Sequence, residues 1–427
     1  MKLWASLMAG VVLTGMAAGI SAQDAPRPPA PAPAAGQRPA GPPPTPALGQ
    51  GPWDIDSADA KLHVEVIARG LDHPWGMAML PDGSVLVTER PGRLRIIRNG
   101  VLDPQAIEGL PAIFNPGISG LTDIVLDPNF ASNRLIYLAY SKAAPDTPAG
   151  ANPMQVDATL AVMRAKWDGG HRLTDVKDIF VANEWYGKPP LPTRCCGQGP
   201  ASGSFGGRLA IGADGKLYLS SGDRNFGERA QDPASSFGKI LRLELDGSPA
   251  RDNPFVGRDG WRPEIWSIGH RNPTGLSFDP ATGRLWETEF GPRGGDEVNL
   301  IERGGNYGWM DVTQGYHYNA EPAKGVREVE GVTDAVWAFG PPSGNPGNVA
   351  VYRGEAFPGW KGNLLVAMMN RSLVRLEMSP DGHVVAQEAI LQNLGQRLRD
   401  VRVAPDGSVY LLTDETDGAL LKITPGS

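Results

Sequence analysis

Residues 79–87 read MLPDGSVLV, which places two apolar segments on either side of a Pro-Asp-Gly turn. Asp and Gly accept the positive φ angles of tight turns, so this stretch predicts a β-hairpin. Similar stretches recur along the chain, at residues 124–138, 209–219, 276–286, 357–366 and 403–412, with the copy at 357–366 the weakest. Six hairpins of this kind, with no long amphipathic helix between them, predict an all-β fold, a six-bladed β-propeller.

The hairpins are unevenly spaced, which predicts long inserted loops between some of the strands. The longest intervals are residues 143–205 and 311–347, and such loops commonly carry the function of a propeller. The ring also has to close, because an open sheet edge pairs readily with other chains. We therefore expect residues 62–67 to pair with the last strand, around residues 420–423.

The first part of the chain predicts export. Residues 1–22 have a positively charged start, an apolar stretch and small residues at the end, as in a secretory signal peptide. Residues 23–52 contain the run PRPPAPAPAA at 26–35, which is typical of an extended linker. The propeller domain is then residues 53–427, and no stretch within it is apolar enough to span a bilayer. We expect a periplasmic or secreted protein.

Charge and cysteine content narrow the partners only slightly. The formal net charge of −7 argues against nucleic acid or an anionic membrane surface as a partner. The only two cysteines, Cys195 and Cys196, are adjacent in sequence. In an oxidising compartment they form either a vicinal disulfide or two thiols, and the sequence leaves both alternatives open.

Two polar segments stand out against this background. Residues 267–276 read SIGHRNPTGL, and residues 289–301 read EFGPRGGDEVNLI, followed by GGNYGW at 304–309. Backbone carbonyls next to carboxylates suit a hard cation such as calcium, and Arg beside Asn suits an anionic or carbonyl-rich ligand. The same composition is compatible with structural loops that satisfy their own polar groups, and spacing alone does not decide between the two interpretations.

These segments resemble the signature of the soluble aldose dehydrogenases that depend on pyrroloquinoline quinone (PQQ), the glucose/sorbosone dehydrogenase family. The resemblance extends from about Leu71 to Ile423. It implies that the propeller holds PQQ over the mouth of its channel, with the long loops on the cofactor face. It also implies a calcium ion between PQQ and the protein. The cofactor would then supply the redox chemistry, while the protein orients it and tunes its charge.

The resemblance implies a role for each matching residue. For calcium it implies backbone oxygens of Gly291 and Pro292, in a loop supported by Asp296 and Glu297.

For the cofactor, the resemblance implies that Arg271 polarises the quinone beside Asn272, while Arg397 and Arg399 hold the PQQ carboxylates. Guanidinium groups suit carboxylates because they donate two parallel hydrogen bonds. Asn370 takes the position at which the family often has a lysine.

Several positions depart from the family. Ser204, in SGSFGGRL at 202–209, occupies the place of the general-base histidine, and serine does not accept a proton usefully without a base beside it. Ile118 and Phe290 are apolar where the family is polar. His317 and Asp123 are candidates for a replacement base.

We therefore expect an enzyme, a PQQ- and calcium-dependent oxidoreductase that oxidises an aldose or related hydroxyl compound and passes electrons to a soluble acceptor. The alternative is an exported propeller of the same family that binds a ligand or cofactor but lacks turnover, because the catalytic position is Ser204. A third interpretation, a calcium-dependent lactone hydrolase, lacks an identifiable acid–base group.

Overall fold

The computed structural model describes residues 44–152, 155–188, 202–316 and 329–427. Strands dominate, and they form six antiparallel sheets. Five sheets have four strands and are continuous in the chain, while the sixth has five strands and joins the two ends of the domain. This is the six-bladed β-propeller that the recurring hairpins predict. Within the described ranges, no helix has the length and apolar character that crossing a membrane requires.

Each of the first three blades is built in chain order. Blade 1 contains β3 (Pro74–Met79), β4 (Val85–Glu89), β5 (Arg93–Arg98) and β6 (Val101–Leu102). Blade 2 contains β7 (Leu121–Leu126), β8 (Leu135–Ala143), β9 (Ala158–Trp167) and β10 (Leu173–Val181). Blade 3 contains β11 (Gly206–Ile211), β12 (Leu217–Ser221), β13 (Lys239–Leu243) and β14 (Ile265–Ile268).

The remaining blades follow the same order until the ring closes. Blade 4 contains β15 (Pro273–Phe278), β16 (Leu285–Glu289), β17 (Asp296–Ile301) and β18 (Trp337–Phe339). Blade 5 contains β19 (Pro346–Val351), β20 (Leu364–Met368), β21 (Ser372–Met378) and β22 (Val384–Ile390). Blade 6 contains β23 (Leu398–Val403), β24 (Val409–Thr413) and β25 (Gly418–Pro425), completed by β2 (Lys61–Leu71) and β1 (Trp53–Asp56).

Helical structure is confined to single turns in the connections. The α-helix α1 spans Phe130–Asn133, and 3₁₀ turns occupy Gly227–Ala230, Pro358–Trp360 and Gln392–Leu394. Short turns of this kind suit chain reversals between strands.

The predicted closure of the ring is confirmed. β2 pairs antiparallel with β25, with Val64 opposite Ile423 and Val66 opposite Leu421. The first strands of successive blades also contact one another in turn, from β3 through β7, β11, β15, β19 and β23 and back to β3. The ring is therefore closed, with the first strand of each blade packed beside those of its two neighbours.

Two expectations about the chain's organisation need correction. Residues 143–205 are not one inserted loop, because β9 and β10 lie within them and only the stretch after Val181 connects blades 2 and 3. The weak hairpin at residues 357–366 is a 3₁₀ turn followed by β20, and the first strand of that blade lies earlier, at β19. Tyr352, Phe357 and Trp360 pack together there, so the apolar residues fill the core instead of forming a strand.

The described part of the predicted linker lies against the propeller. Leu48 packs on the apolar cluster between blades 5 and 6, and Arg69 donates to its carbonyl oxygen at 3.1 Å. Gln396 Nε2 donates to the carbonyl oxygen of Pro46 at 2.7 Å. The chain is therefore held in place several residues before β1 begins.

Candidate active site

A cleft of about 660 Å³ lies where the first strands of all six blades begin. Trp75 and Thr122 are near the amino ends of β3 and β7, and Asn272 immediately precedes β15. Arg397 and Arg399 lie at the start of β23. The other lining residues come from the same end of the ring: Ile118, Ser204, Phe205, Gly206, Thr274, Phe290, Asn345 and Met369. Residues far apart in sequence thus converge, among them four predicted site residues.

One wall of the cleft is strongly basic. Arg399 donates to Asp414 Oδ2 from Nε at 3.2 Å, and Arg397 NH2 lies 3.7 Å from the same oxygen. The charges of Arg397, Arg399 and Asp414 also act on Arg90. We call Arg90, Arg397, Arg399 and Asp414 the arginine group. His73 contacts the same carboxylate at 3.0 Å.

The arginine group carries more positive than negative charge. Burial would raise the pKa of Asp414, but the charge of Arg399, the hydrogen bond from His73 and the charges of Arg90 and Arg397 hold it far below its ordinary value. Asp414 is therefore ionised, and three guanidinium groups share one carboxylate. The Nε atom of Arg397 is buried without a hydrogen-bond partner in the described protein. Such a group favours an anionic ligand.

Arg271 and Asn272 are positioned differently from each other. Asn272 faces the cleft, whereas Arg271 lies in a small adjacent cavity, and Phe290 lines both spaces. Arg271 donates to the carbonyl oxygens of Phe290 at 3.0 Å and Gly291 at 2.9 Å. Asn272 therefore faces the cleft and Arg271 faces the adjacent cavity, on opposite sides of the segment that carries both residues.

The predicted calcium loop is held by Asp296. Its Oδ1 accepts the amide of Gly291 at 2.9 Å and the hydroxyl of Ser343 at 2.7 Å, and its Oδ2 accepts the amide of Asn345 at 2.7 Å. A side chain at Gly291 would collide with the carbonyls of Gly294 and Gly295, so the tight turn requires glycine. Asp296 thus shapes the loop, while the carbonyl oxygen of Gly291 accepts a hydrogen bond from Arg271 and that of Pro292 lies 3.3 Å from the Ser343 hydroxyl.

Glu297 belongs to a separate group of buried acids. It lies with Glu287 and Glu289, and Asn299 donates to Glu287 at 3.0 Å and to Glu297 at 3.3 Å. Burial raises the pKa of Glu297 to about 7 and the pKa values of Glu287 and Glu289 well above the ordinary value.

A histidine completes this acid group. Ligand atoms of His270, Glu287 and Glu289 all lie within 4.8 Å of one another. Burial, together with the charge of Lys239, lowers the pKa of His270 to about 3, so its ring is neutral. Neutral imidazole and carboxylates are donors for a divalent cation, so these residues and the loop above them are where the chain can hold a metal.

Ser204 has a carboxylate beside it. Its hydroxyl donates to Asp223 Oδ1 at 2.8 Å, and Trp309 Nε1 donates to Asp223 Oδ2 at 2.8 Å. Ser204 lies in the loop before β11 with a φ of 56°, a left-handed conformation that is uncommon outside glycine. A side chain at Gly222 would collide with the carbonyl of Ser204, so that glycine allows the close approach.

Asp123, one candidate for a replacement base, has a structural role. Arg208 and Arg402 each approach its Oδ1 at 3.2 Å, and both arginines also approach Asp400, at 3.4 and 3.2 Å. We call Asp123, Arg208, Asp400 and Arg402 the central network. It lies between β7, β11 and β23, and Asp123 also accepts the amide of Leu209 at 2.9 Å. Its carboxylate is paired with two arginines and a backbone amide, and it is not among the described residues that line the cleft.

The other sequence candidates divide. Ile118 and Phe290 line the cleft as apolar residues, and the side chain of Ile118 is exposed. Asn370 is exposed beside Gly344 and accepts a hydrogen bond from Ser372 at 2.8 Å. It is not among the residues that line the cleft. His317 lies outside the described residues.

Sequence reasoning missed Arg90, Asp223, Glu289 and Asp414. All four lie at or just after the end of the second strand of a blade: β4, β12, β16 and β24. The available signal was a charged residue that closes an apolar strand at the equivalent place of the repeated hairpin. These ends reach the same side of the ring as the starts of the first strands, because the two strands are antiparallel.

The fold and the cleft define a class of protein, a six-bladed β-propeller whose loops form a basic pocket at one end of the ring. Comparison with known proteins gives the family. The family model described as "Glucose / Sorbosone dehydrogenase" matches residues 71–422, and the chain belongs to this family.

Named relatives agree with this assignment. The aldose sugar dehydrogenase YliI of Escherichia coli K12 is 37% identical over 374 residues, which cover 86% of this chain and 94% of the relative. The crystal structure of the soluble aldose sugar dehydrogenase of Escherichia coli in its apo form is 36% identical, with a TM-score of 0.75 over 86% of this chain and all of that one (100%). The PQQ-bound aldose sugar dehydrogenase of Streptomyces coelicolor is 28% identical, with a TM-score of 0.66 over 86% and 98% of the two chains.

Proposed function

We propose that this protein is a PQQ- and calcium-dependent dehydrogenase that oxidises a hydroxyl group of an aldose or related compound and passes the electrons to a soluble acceptor. The observation that carries the proposal is the convergence of Asn272, Arg397, Arg399 and Ser204 on one cleft. When bound there, PQQ would supply the two-electron oxidation. Named relatives include an aldose sugar dehydrogenase and a PQQ-bound enzyme, which supports this choice of cofactor and substrate.

The arginine group fits the cofactor's acidic groups. PQQ carries three carboxylates, and the three guanidinium groups of Arg90, Arg397 and Arg399 surround the buried carboxylate of Asp414, while the charge of Asp72 also acts on Arg90. Arg397 Nε also has no partner within the described residues. A charge-assisted hydrogen bond is roughly twice as strong as a neutral one, so these guanidinium groups would hold and orient the ligand. Asn272, on the adjoining wall, would hold its carbonyl-bearing side.

Calcium fits the loop that Asp296 holds. The carbonyl oxygens of Gly291 and Pro292 are hard donors, and each has a lone pair available for a cation. Arg271 shares the Gly291 oxygen, so it lies where it can polarise a ligand carbonyl bound at the same place. The buried acids Glu287, Glu289 and Glu297 lie behind the loop, and their raised pKa values indicate that their ionised forms lack a counter-charge, which a bound cation would supply.

A second candidate function has one observation in its favour. No described histidine lines the cleft, and Ser204 stands where the family has its general base. A protein of this family that binds the cofactor without dehydrogenase turnover is therefore the alternative. In either case the signal-like composition of residues 1–22 supports a place of action outside the cytoplasm.

The deciding experiment is a calorimetric titration of the metal-free protein with PQQ, with and without calcium, followed by dye-linked oxidation of a panel of aldoses. We expect PQQ binding that requires calcium and oxidation of at least one sugar. Magnesium serves as the control cation, because it demands a smaller and more regular oxygen shell. Binding without any turnover would favour the second candidate, and the absence of PQQ binding would exclude both.

A further inference from the structure

We propose that Asp223 accepts the proton of the substrate hydroxyl through Ser204, so that a serine–carboxylate pair replaces the missing imidazole. The inference rests on the proposed function, because it assigns a proton path to the same dehydrogenase site. It concerns residues of this chain that the resemblance leaves without a role, since Ser204 alone cannot act as a base.

The geometry forms a short path from the cleft to a buried carboxylate. Ser204 lines the cleft and is only 5% exposed, while Asp223 is fully buried at 0%. The Ser204 hydroxyl donates to Asp223 Oδ1 at 2.8 Å. A hydroxyl can accept one proton while it donates its own. Ser204 is therefore the only link that the described residues show between Asp223 and the cleft.

Three further contacts fix the carboxylate in this orientation. Asp223 Oδ1 accepts the amide of Asn225 at 2.7 Å, and Oδ2 accepts Trp309 Nε1 at 2.8 Å. The Asp223 amide donates to the carbonyl of Arg271 at 2.7 Å, which ties the pair to the segment that carries Arg271 and Asn272. A serine in the left-handed conformation at such a place is typical of residues held for function.

The electrostatics also favour a proton acceptor. Burial raises the pKa of Asp223 above its ordinary value of 3.8, while the charge of Arg271 and the hydrogen bonds from Ser204 and Trp309 oppose the shift. Arg224, the next residue, directs its guanidinium away to the carbonyls of Gly203 and Ala158 and over the ring of Phe205. A carboxylate with a raised pKa is a stronger base than an exposed one.

The step balances with the quinone as the oxidant. The substrate's O–H bond breaks and its proton passes to Ser204 Oγ, while the Ser204 proton passes to Asp223. PQQ bound in the cleft would take the hydrogen of the hydroxyl-bearing carbon together with the C–H electron pair, as hydride, so that this carbon becomes a carbonyl. Ser204 ends the step as a neutral hydroxyl, and Asp223 ends it protonated.

The test compares Asp223→Asn, Ser204→Ala and Ser204→His with Asp246→Asn, an exposed aspartate of the same blade, as the matched control. We expect Asp223→Asn to lower kcat on the order of 100-fold or more with little change in KM or PQQ affinity. Wild-type kcat/KM should rise with pH through the raised pKa of Asp223, and this limb should disappear in the variant. Ser204→Ala should lower kcat by a similar factor, and Ser204→His should have a higher kcat than Ser204→Ala.

An infrared titration of the metal-free, cofactor-free protein gives a readout independent of turnover. The wild-type minus Asp223→Asn difference spectrum should contain a protonated-carboxyl band that titrates above the ordinary range of aspartate, while the bands of the other buried acids, such as Glu287, Glu289 and Glu297, cancel. The inference is overturned if Asp223→Asn or Ser204→Ala keeps kcat within about twofold of wild type. It is also overturned if only Ser204→His turns over, or if the band is absent. A wild type that fails to bind PQQ but shows the band would instead overturn the proposed function.

Discussion

The arginine group and the central network lie next to each other, and they differ in charge balance. Arg399 and Asp400 are neighbours in β23, yet Arg399 pairs with Asp414 and Asp400 pairs with Arg208 and Arg402. The central network has two arginines and two aspartates, and each arginine contacts both aspartates. The arginine group has three cations around one carboxylate. The difference indicates that balanced buried charge is structural, whereas an excess of one sign is available for a ligand.

The largest effect should come from breaking the central network, whose charges balance. Arg208→Met leaves Asp123 and Asp400 short of one partner and leaves the carbonyl of Thr274 without its hydrogen bond. We expect the free energy of unfolding to fall by about 3–5 kcal/mol. Urea denaturation measures this free energy. As a control, Arg251→Met, at an exposed arginine, should change it by no more than about 0.5 kcal/mol. A loss below about 1 kcal/mol would show that this network is not what stabilises the inner strands.

Breaking the arginine group, which has an excess of positive charge, should affect ligand binding more than stability. Arg399→Met removes one of three guanidinium groups, so PQQ affinity should fall by about 1.5–3 kcal/mol, roughly tenfold or more. Asp414 keeps His73 and Arg397 as neighbours, so the free energy of unfolding should change less than in Arg208→Met. Calorimetric titration with PQQ and calcium provides the measurement. Equal PQQ affinity in wild type and variant would contradict the assignment of this wall to carboxylate binding.

Removing the one carboxylate of the arginine group should show a defined pH dependence. Asp414→Asn should lower the free energy of unfolding by about 2 kcal/mol at pH 7, because three cations lose their counter-charge. The folded-state pKa of Asp414 lies below its ordinary value of 3.8, so the stabilisation is present above that value and is lost as pH falls.

The difference between wild type and Asp414→Asn should therefore narrow by roughly 1 kcal/mol between pH 5 and pH 3. Urea denaturation at both pH values tests this expectation, with the exposed Asp259→Asn as the control. A constant difference would mean that Asp414 acts through packing and not through charge.

The smallest effect should come from salt. The side chain of Arg397 is 39% exposed, whereas Arg208 and Asp123 are fully buried at 0%. Raising ionic strength shortens the screening length, so PQQ affinity should weaken a few-fold between about 0.05 and 0.5 M salt. The stability difference between wild type and Arg208→Met should hardly change over the same range. Equal salt sensitivity of both quantities would remove the distinction between the two groups.

Much of the fold follows from local sequence. Residues 79–87, 209–219 and 403–412 form hairpins because Asp and Gly fix the turn while alternate apolar residues fill the core. The hairpin predicted at residues 357–366 was wrong, because Phe357 and Trp360 are apolar residues at a 3₁₀ turn. Periodicity cannot separate a short strand from a packed loop of this kind.

The candidate site could be predicted only in part. Arg397, Arg399 and Asn272 lie in segments that match a signature, and the structure brings them to one cleft. Asn370, which resemblance alone suggests as a cofactor contact, is in an exposed turn and is not among the residues that line the cleft. Asp223 and Asp414 were missed because each is an ordinary residue after an apolar strand, and its role depends on distant partners.

The sequence by itself determined the architecture and the chemical types present: short strands with Asp-Gly turns, a polar loop rich in arginine and carboxylates, and Ser204 in the place of a histidine. These are local properties, set by backbone preferences and by the residues themselves. Only the tertiary structure decided which charges neutralise one another and which remain available. It paired Asp123 within the central network and placed Asp223 behind Ser204. Closing the ring brings strand ends from different blades into contact, and burial then sets the pKa values of the groups that meet there.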